Sequence, residues 1–179
     1  PRVRRQRQMC IRDRCVVIAD EIWSDLILKG SQHIPTQSIS PDARNRTIAL
    51  YAPSKTFNLA GLVGSYHIIF NKMLRDRVEA KSRKSHYNTM NVLSMHALIG
   101  AYEAEGYTWV NELCQVLSEN VDYAVNHIRD YYRGIEVSKP QGTYMLFLDC
   151  EDWCEENYKS LDELLKACLL YTSDAADEL

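Results

Sequence analysis

Thr47-Ile48-Ala49-Leu50-Tyr51, followed two residues later by Ser54-Lys55-Thr56-Phe57-Asn58, is the stretch whose reading decides the fold. Upstream, Val16-Val17-Ile18-Ala19-Asp20-Glu21 repeats the pattern of a short apolar run that ends in polar residues. Both runs are too continuously apolar for half-exposed strands, so they read as neighbouring strands of a parallel sheet, buried on both faces. Open α/β sheets collect their ligands at the carboxyl ends of such strands. Asp20 and Lys55 each stand at one of those ends, which makes them candidate partners for one small molecule.

The chemistry that needs a single amine and a single carboxylate there is that of pyridoxal 5'-phosphate. Lysine condenses with the aldehyde, and a carboxylate beside the pyridine nitrogen keeps that nitrogen protonated, so the ring acts as an electron sink. Ile18-Ala19-Asp20-Glu21-Ile22 resembles the pyridine-nitrogen motif of the fold-type I pyridoxal-phosphate enzymes, the class I/II aminotransferase-like family. Ser54-Lys55-Thr56-Phe57-Asn58-Leu59-Ala60-Gly61-Leu62 resembles that family's cofactor-lysine motif. With His33-Ile34-Pro35 and Pro140-Gln141-Gly142-Thr143-Tyr144 added, the likeness is greatest to the MalY/PatB-type carbon-sulfur (cystathionine) β-lyases and runs from about residue 15 to 167. It implies Lys55 as the catalytic, cofactor-bearing lysine and Asp20 as the partner of the ring nitrogen.

Alone, a Ser-Lys-Thr triplet describes a solvated lysine. The succession of strand, acid, strand and lysine, then Gly61 and Gly64, raises it to a motif. Glu21 reads as a structural or solvated neighbour. Ser54 has two readings of equal weight, a donor to the cofactor phosphate and a turn-capping serine. Two positions depart from the aminotransferase pattern. Where many relatives carry a tyrosine three residues after the aspartate, this chain has Trp23, whose indole donates but cannot accept. Where many carry a phosphate-binding arginine eight residues after the lysine, it has Val63. Both departures move the likeness toward the lyase branch. Trp23 is a candidate cofactor contact, although core packing is its plainer role.

The 179 residues, 46% of them hydrophobic, allow one domain or one and part of a second. No apolar run spans a bilayer and no secretory leader is visible, so a cytoplasmic protein without a membrane partner is expected. A formal charge of -3 and a pI near 6.0 argue against nucleic acid as the main partner. The six cysteines show no C-x-x-C, and Cys150 and Cys154 read as reduced residues in a loop; neither a metal site nor a disulfide framework is indicated. Residues 1–14 hold six arginines around Asp13, and they and residues 168–179 resemble translated adapter sequence rather than native ends.

Between those ends the expected fold class is α/β. Residues 15–133 read as the C-terminal half of a fold-type I large domain, a mostly parallel sheet with helices, plus a linking helix. Residues 134–167 read as the start of a small α+β domain. Gly64 to Phe70 is a third strand and Asn71 caps a helix. Asn91 to Glu105 is a second helix with Val92, Met95, Leu98, Ile99 and Tyr102 on one face and Gly106 as its stop. Thr108 to Arg133 is a long amphipathic helix ending at Gly134. Ile135 to Ser138 and Tyr144 to Cys150 are strands, and Ser160-Leu161-Asp162-Glu163 opens the last helix with a capping box. His67, His86, His96 and His127 lack ligand spacing and read as packed or solvated. Tyr66 and Tyr87 are candidates to approach the cofactor face, a choice the sequence leaves open.

The resemblance implies β-elimination of cystathionine or a cysteine S-conjugate to pyruvate, ammonia and a thiol. It also implies a small sulfur-containing amino acid as substrate and a homodimer at full length. The alternatives are an aminotransferase and a pyridoxal-phosphate-sensing transcriptional regulator. The chain by itself is expected to be inactive, because relatives sandwich the ring and bind the phosphate with segments that have no counterpart here.

Overall fold

The computed structural model describes residues 15–85 and 89–168. The arginine-rich stretch 1–14, residues 169–179, His86 and Tyr87 lie outside them. Strand β1 (Val17–Asp20) lies parallel to β2 (Thr47–Tyr51), with Ile18 opposite Ile48 and Asp20 opposite Leu50. The third strand, β3 (Tyr66–Ile68), runs antiparallel to β2 on its other side. The sheet order is therefore β1-β2-β3, with a parallel pair at one side and an antiparallel strand at the other.

A parallel pair needs a long crossover, and here it passes through a 3-10 turn (Thr36–Ser38) and helix α1 (Pro41–Arg46). Ser40 caps α1 by accepting from the Ala43 amide at 3.0 Å, and Pro41 sits at the first helical position, where its missing N–H costs nothing. Gln37, buried, closes the crossover by donating to the carbonyls of Thr47 and Ile68.

Helix α2 (Pro53–Thr56) is a single turn directly beyond β2. Helix α3 (Lys72–Ser85) comes after β3, and Asn71 caps it as expected, its Oδ1 accepting from the amides of Met73 and Leu74. Helix α4 (Val92–Ala101) is capped by Asn91, and the long α5 (Ala104–Tyr131) begins after only two residues. Strands β4 (Glu136–Val137) and β5 (Leu148–Asp149) form a separate antiparallel pair, succeeded by α6 (Glu151–Glu156) and α7 (Leu161–Cys168). The capping box of α7 is formed: the Glu163 amide donates to Ser160 Oγ, and the Ser160 amide donates to Glu163 Oε2.

The core is built on α5. Val121 and Val125 pack with Leu28 and Val137, so α5 is pinned at once to the segment after β1 and to the second sheet. Cys150, Cys154 and Leu164 form a second cluster. No helix among the described residues is long and apolar enough to cross a membrane.

Four expectations are corrected. β1 is not buried on both faces: Ile18 is 68% exposed, because β1 has β2 on one side only and no described layer covers it. Gly106 does not stop the second helix, which ends at Ala101; it lies in the first turn of α5. A Cβ there would stand 1.9 Å from the Ala101 carbonyl oxygen, so the glycine is required for the two helices to meet at so sharp a junction. Cys150 and Cys154 are not in a loop. They cap and occupy α6, both buried. The apolar face expected on the second helix exists as a sequence pattern, but Val92, Met95 and Ile99 are exposed and Ser94 is the buried residue of α4.

Candidate functional site

Asp20 closes β1, and the Glu21 amide donates to the Leu50 carbonyl at 2.9 Å, so the parallel pairing continues to the point where the chain turns away. Beyond Leu50 and Tyr51, β2 passes into α2, which carries Lys55. Parallel alignment therefore puts Asp20 and Lys55 at the same carboxyl edge of the sheet. Asp20 is exposed, and its Oδ1 accepts from the Ile22 amide at 3.1 Å. Lys55 is exposed and makes no hydrogen bond or ion pair among the described residues; its Nζ stands 5.5 Å from the centre of the Trp23 ring. Ser54, half-buried, precedes it.

Trp23 is a contact of Lys55 as well as a packing residue. Its other neighbour is Tyr144, edge-on with ring centroids 5.0 Å apart. Tyr144 arrives from far along the chain because Pro140–Tyr144 docks on the segment after β1. The Leu28 amide donates to the Gln141 carbonyl at 3.0 Å, and the Thr143 amide to Leu26 at 2.7 Å. Gly142 lies against the Leu26 carbonyl oxygen, which a Cβ would approach to 2.9 Å. Two non-glycine residues with positive φ flank the edge, Asn58 just after Lys55 (54°) and Thr143 just before Tyr144 (66°). Asparagine tolerates that conformation, whereas a β-branched threonine there stores strain of the kind often held at working sites.

Glu21 is structural. Its buried carboxylate meets His33 Nε2 at 2.8 Å, the Thr36 amide at 2.8 Å and the Tyr51 hydroxyl at 3.0 Å. Burial alone would raise its pKa, but the hydrogen bonds from His33, Thr36 and Tyr51 outweigh that and hold it below the ordinary carboxylate value. The same environment, burial first and the Glu21 carboxylate second, pushes the Tyr51 phenol up to about 12. Glu21 thus ties the 33–36 loop to the ends of β1 and β2, directly beside Asp20.

The lowered value sets the sign of the contribution to stability. The folded state favours the ionised form, so the gain is complete above the unfolded carboxyl pKa near 4.5 and disappears as pH falls through the lower folded value. Glu21→Gln is expected to destabilise the chain by about 2 kcal/mol at pH 7. The gap in melting temperature between the two should narrow below pH 4.5. An equal gap at both pH values would mean that the charge contributes nothing.

Behind the edge, Tyr51 stacks on Tyr66 at 5.5 Å, Tyr66 meets Tyr102 at 5.8 Å, and Tyr102 meets Phe57 at 5.2 Å. Burial, then the hydrogen bond with Tyr66, raises the Tyr102 phenol well above its ordinary value. Tyr66 is thus packed among aromatic neighbours. Nearby, an apolar groove of about 270 Å³ lined by Phe57, Leu59, Ala97, Ala101, Gly106 and Trp109 offers contact area but no titratable group. His67 and His96 are exposed, and His127 on α5 stacks on Tyr123 and meets Tyr131 at a tilt. Val63 is 79% exposed.

Sequence reasoning passed over Asp25. Its Oδ2 accepts from the hydroxyl of Thr56 at 3.0 Å, and its backbone carbonyl accepts from Cys114 Sγ at 3.5 Å. Burial raises the Cys114 thiol pKa, so it stays protonated and able to donate. The visible signal was only a polar residue in a turn after a strand. Its partner lies 31 residues on.

No family model matches the chain. It is 32% identical over 142 residues to the cystathionine beta-lyase PatB of Bacillus subtilis, covering 79% of this chain and 36% of that protein. Protein MalY of Escherichia coli is also 32% identical over 142 residues, with 79% and 35% covered. Among solved structures, the PLP-bound C-S lyase of Staphylococcus hominis superposes with a TM-score of 0.74 at 29% identity, covering 87% of this chain and 38% of that one. The chain thus spans little more than a third of the length of the curated relatives it matches.

Proposed function

We propose that this chain, which has the fold-type I pyridoxal-phosphate architecture and is related to the carbon-sulfur lyases and aminotransferases of that superfamily, is part of a longer pyridoxal-phosphate-dependent carbon-sulfur β-lyase. The observation that carries the reading is the placement of an amine, Lys55, with no ion pair among the described residues, and an exposed carboxylate, Asp20, at one carboxyl edge of adjacent parallel strands, with an indole beside the amine. The donor set fits the cofactor: an amine for its aldehyde, a carboxylate for its ring nitrogen, the Ser54 hydroxyl for its phosphate and Trp23 as an aromatic contact. When bound, pyridoxal phosphate supplies a protonated ring that accepts the electron pair released at the substrate's α-carbon.

The chain's own residues do the rest. Lys55 would hold the cofactor, and its Nζ, when free, would take the substrate's α-proton as general base. Asp20 keeps the ring nitrogen protonated by stabilising its positive charge. Trp23 stands beside the amine, with Tyr144 packed edge-on against the indole, so the two rings offer an aromatic surface next to Nζ. The substrate is a small sulfur-containing amino acid whose β-carbon loses a thiol. The boundary between the large-domain part and the start of the small domain falls between residues 133 and 134, and the full-length enzyme is a homodimer.

The full-length protein is expected to release pyruvate from cystathionine or a cysteine S-conjugate with no keto acid added, measured by coupled reduction of the pyruvate. Turnover that begins only when a keto-acid acceptor is supplied would establish an aminotransferase instead.

A further inference from the structure

Lys55 sits on a helix that cannot hold itself in place. α2 has four residues, its N-cap Ala52 offers no side-chain hydrogen bond, and one helical turn does not persist without tertiary ties. The tie is Thr56. Its side chain is fully buried and donates to Asp25, in the turn that carries Trp23 and leads back to Asp20. Among the described residues this is the one hydrogen bond that joins that turn to α2. Asp25 is anchored in its turn from the other side, where Cys114 on α5 donates to its carbonyl and Leu26 and Leu28 are buried. Adjacent helical residues point about 100° apart. Fixing Thr56 inward therefore aims Lys55 outward, over Trp23.

We propose that the Asp25–Thr56 hydrogen bond is a positioning clamp for the reactive amine, linking α5 through Asp25 and Thr56 to Lys55. The proposal rests on the reading of Lys55 as the amine that takes the cofactor. Neither residue touches the reacting atoms. They set where Nζ stands relative to Asp20, and a one-turn helix released from its tie would spread that amine over many positions.

The test uses the full 179-residue chain, saturating pyridoxal 5'-phosphate, borohydride reduction and mass mapping of each labelled lysine over time, with exposed Lys81 as internal reference. Thr56→Val keeps the shape and removes the donor; Thr56→Ser keeps the donor. Lys55 labelling is expected to fall about tenfold in Thr56→Val, consistent with loss of a hydrogen bond to a charged acceptor, and to stay near the parent rate in Thr56→Ser. Lys81 labelling should not change. Parent-rate labelling of Lys55 in Thr56→Val, or an equal fall in Thr56→Ser, would overturn the clamp. If Thr56→Val loses its cooperative melting transition, Asp25→Asn decides by the same criteria. If the parent chain does not label Lys55 ahead of Lys81, the cofactor reading fails. The clamp is then judged on the Phe57 amide, which donates to Pro53 across α2. Faster hydrogen exchange there in Thr56→Val, restored in Thr56→Ser, supports it, and unchanged exchange overturns it.

Discussion

Lys55→Ala in the full-length protein is expected to abolish the visible absorbance of covalently held cofactor and to lower turnover by about 10³-fold or more. On the proposed reading the substitution removes two roles together, the covalent anchor and the general base. Among the described residues Lys72 is engaged with Asp76 on α3, and Lys81 lies further along the same helix. Because Lys55 is exposed and makes no ion pair, its loss leaves no buried partner unsatisfied, so the fold should survive. A melting temperature close to the parent's is part of the expected result. Measurable turnover with unchanged absorbance would show that another amine carries the chemistry.

Asp20→Asn is expected to separate binding from chemistry. The amide retains the size of the carboxylate and an oxygen able to accept from the Ile22 amide, so the turn after β1 should hold. It cannot stabilise a positive charge on a ring nitrogen, and the electron sink weakens accordingly. Turnover should fall about 10²-fold or more, the scale at which removal of one well-placed electrostatic group is felt. Cofactor should remain attached to Lys55. Near-parent turnover would place the ring nitrogen elsewhere, whereas loss of the cofactor would make Asp20 a binding residue.

The carboxyl edge was legible because strand content and strand ends are local properties. The run Thr47–Tyr51 announces β2, and the residues directly after Tyr51 must stand at its end; the same argument places Asp20. The groups that hold this edge together were not legible, because each depends on a return of the chain. Glu21 meets His33 and Thr36 only after the loop folds back, Thr56 finds Asp25 31 residues away, and Tyr144 reaches Trp23 only once Gly142 has docked against Leu26. Gly106 was misread for a different reason: a glycine that ends a helix and a glycine that lets two helices touch look alike in sequence. The exposure of Ile18 shows a further limit. Apolar composition reports what a strand's faces favour, not which layer covers them.

The central claim is that the amine beside Trp23, and no other, takes the cofactor. Reduction of the cofactor-loaded full-length protein with borohydride, then proteolysis and mass mapping, tests it most directly. A single pyridoxyl-modified peptide containing Ser54-Lys55-Thr56-Phe57 is expected. Modification at Lys72 or Lys81 with Lys55 left unmodified would contradict it.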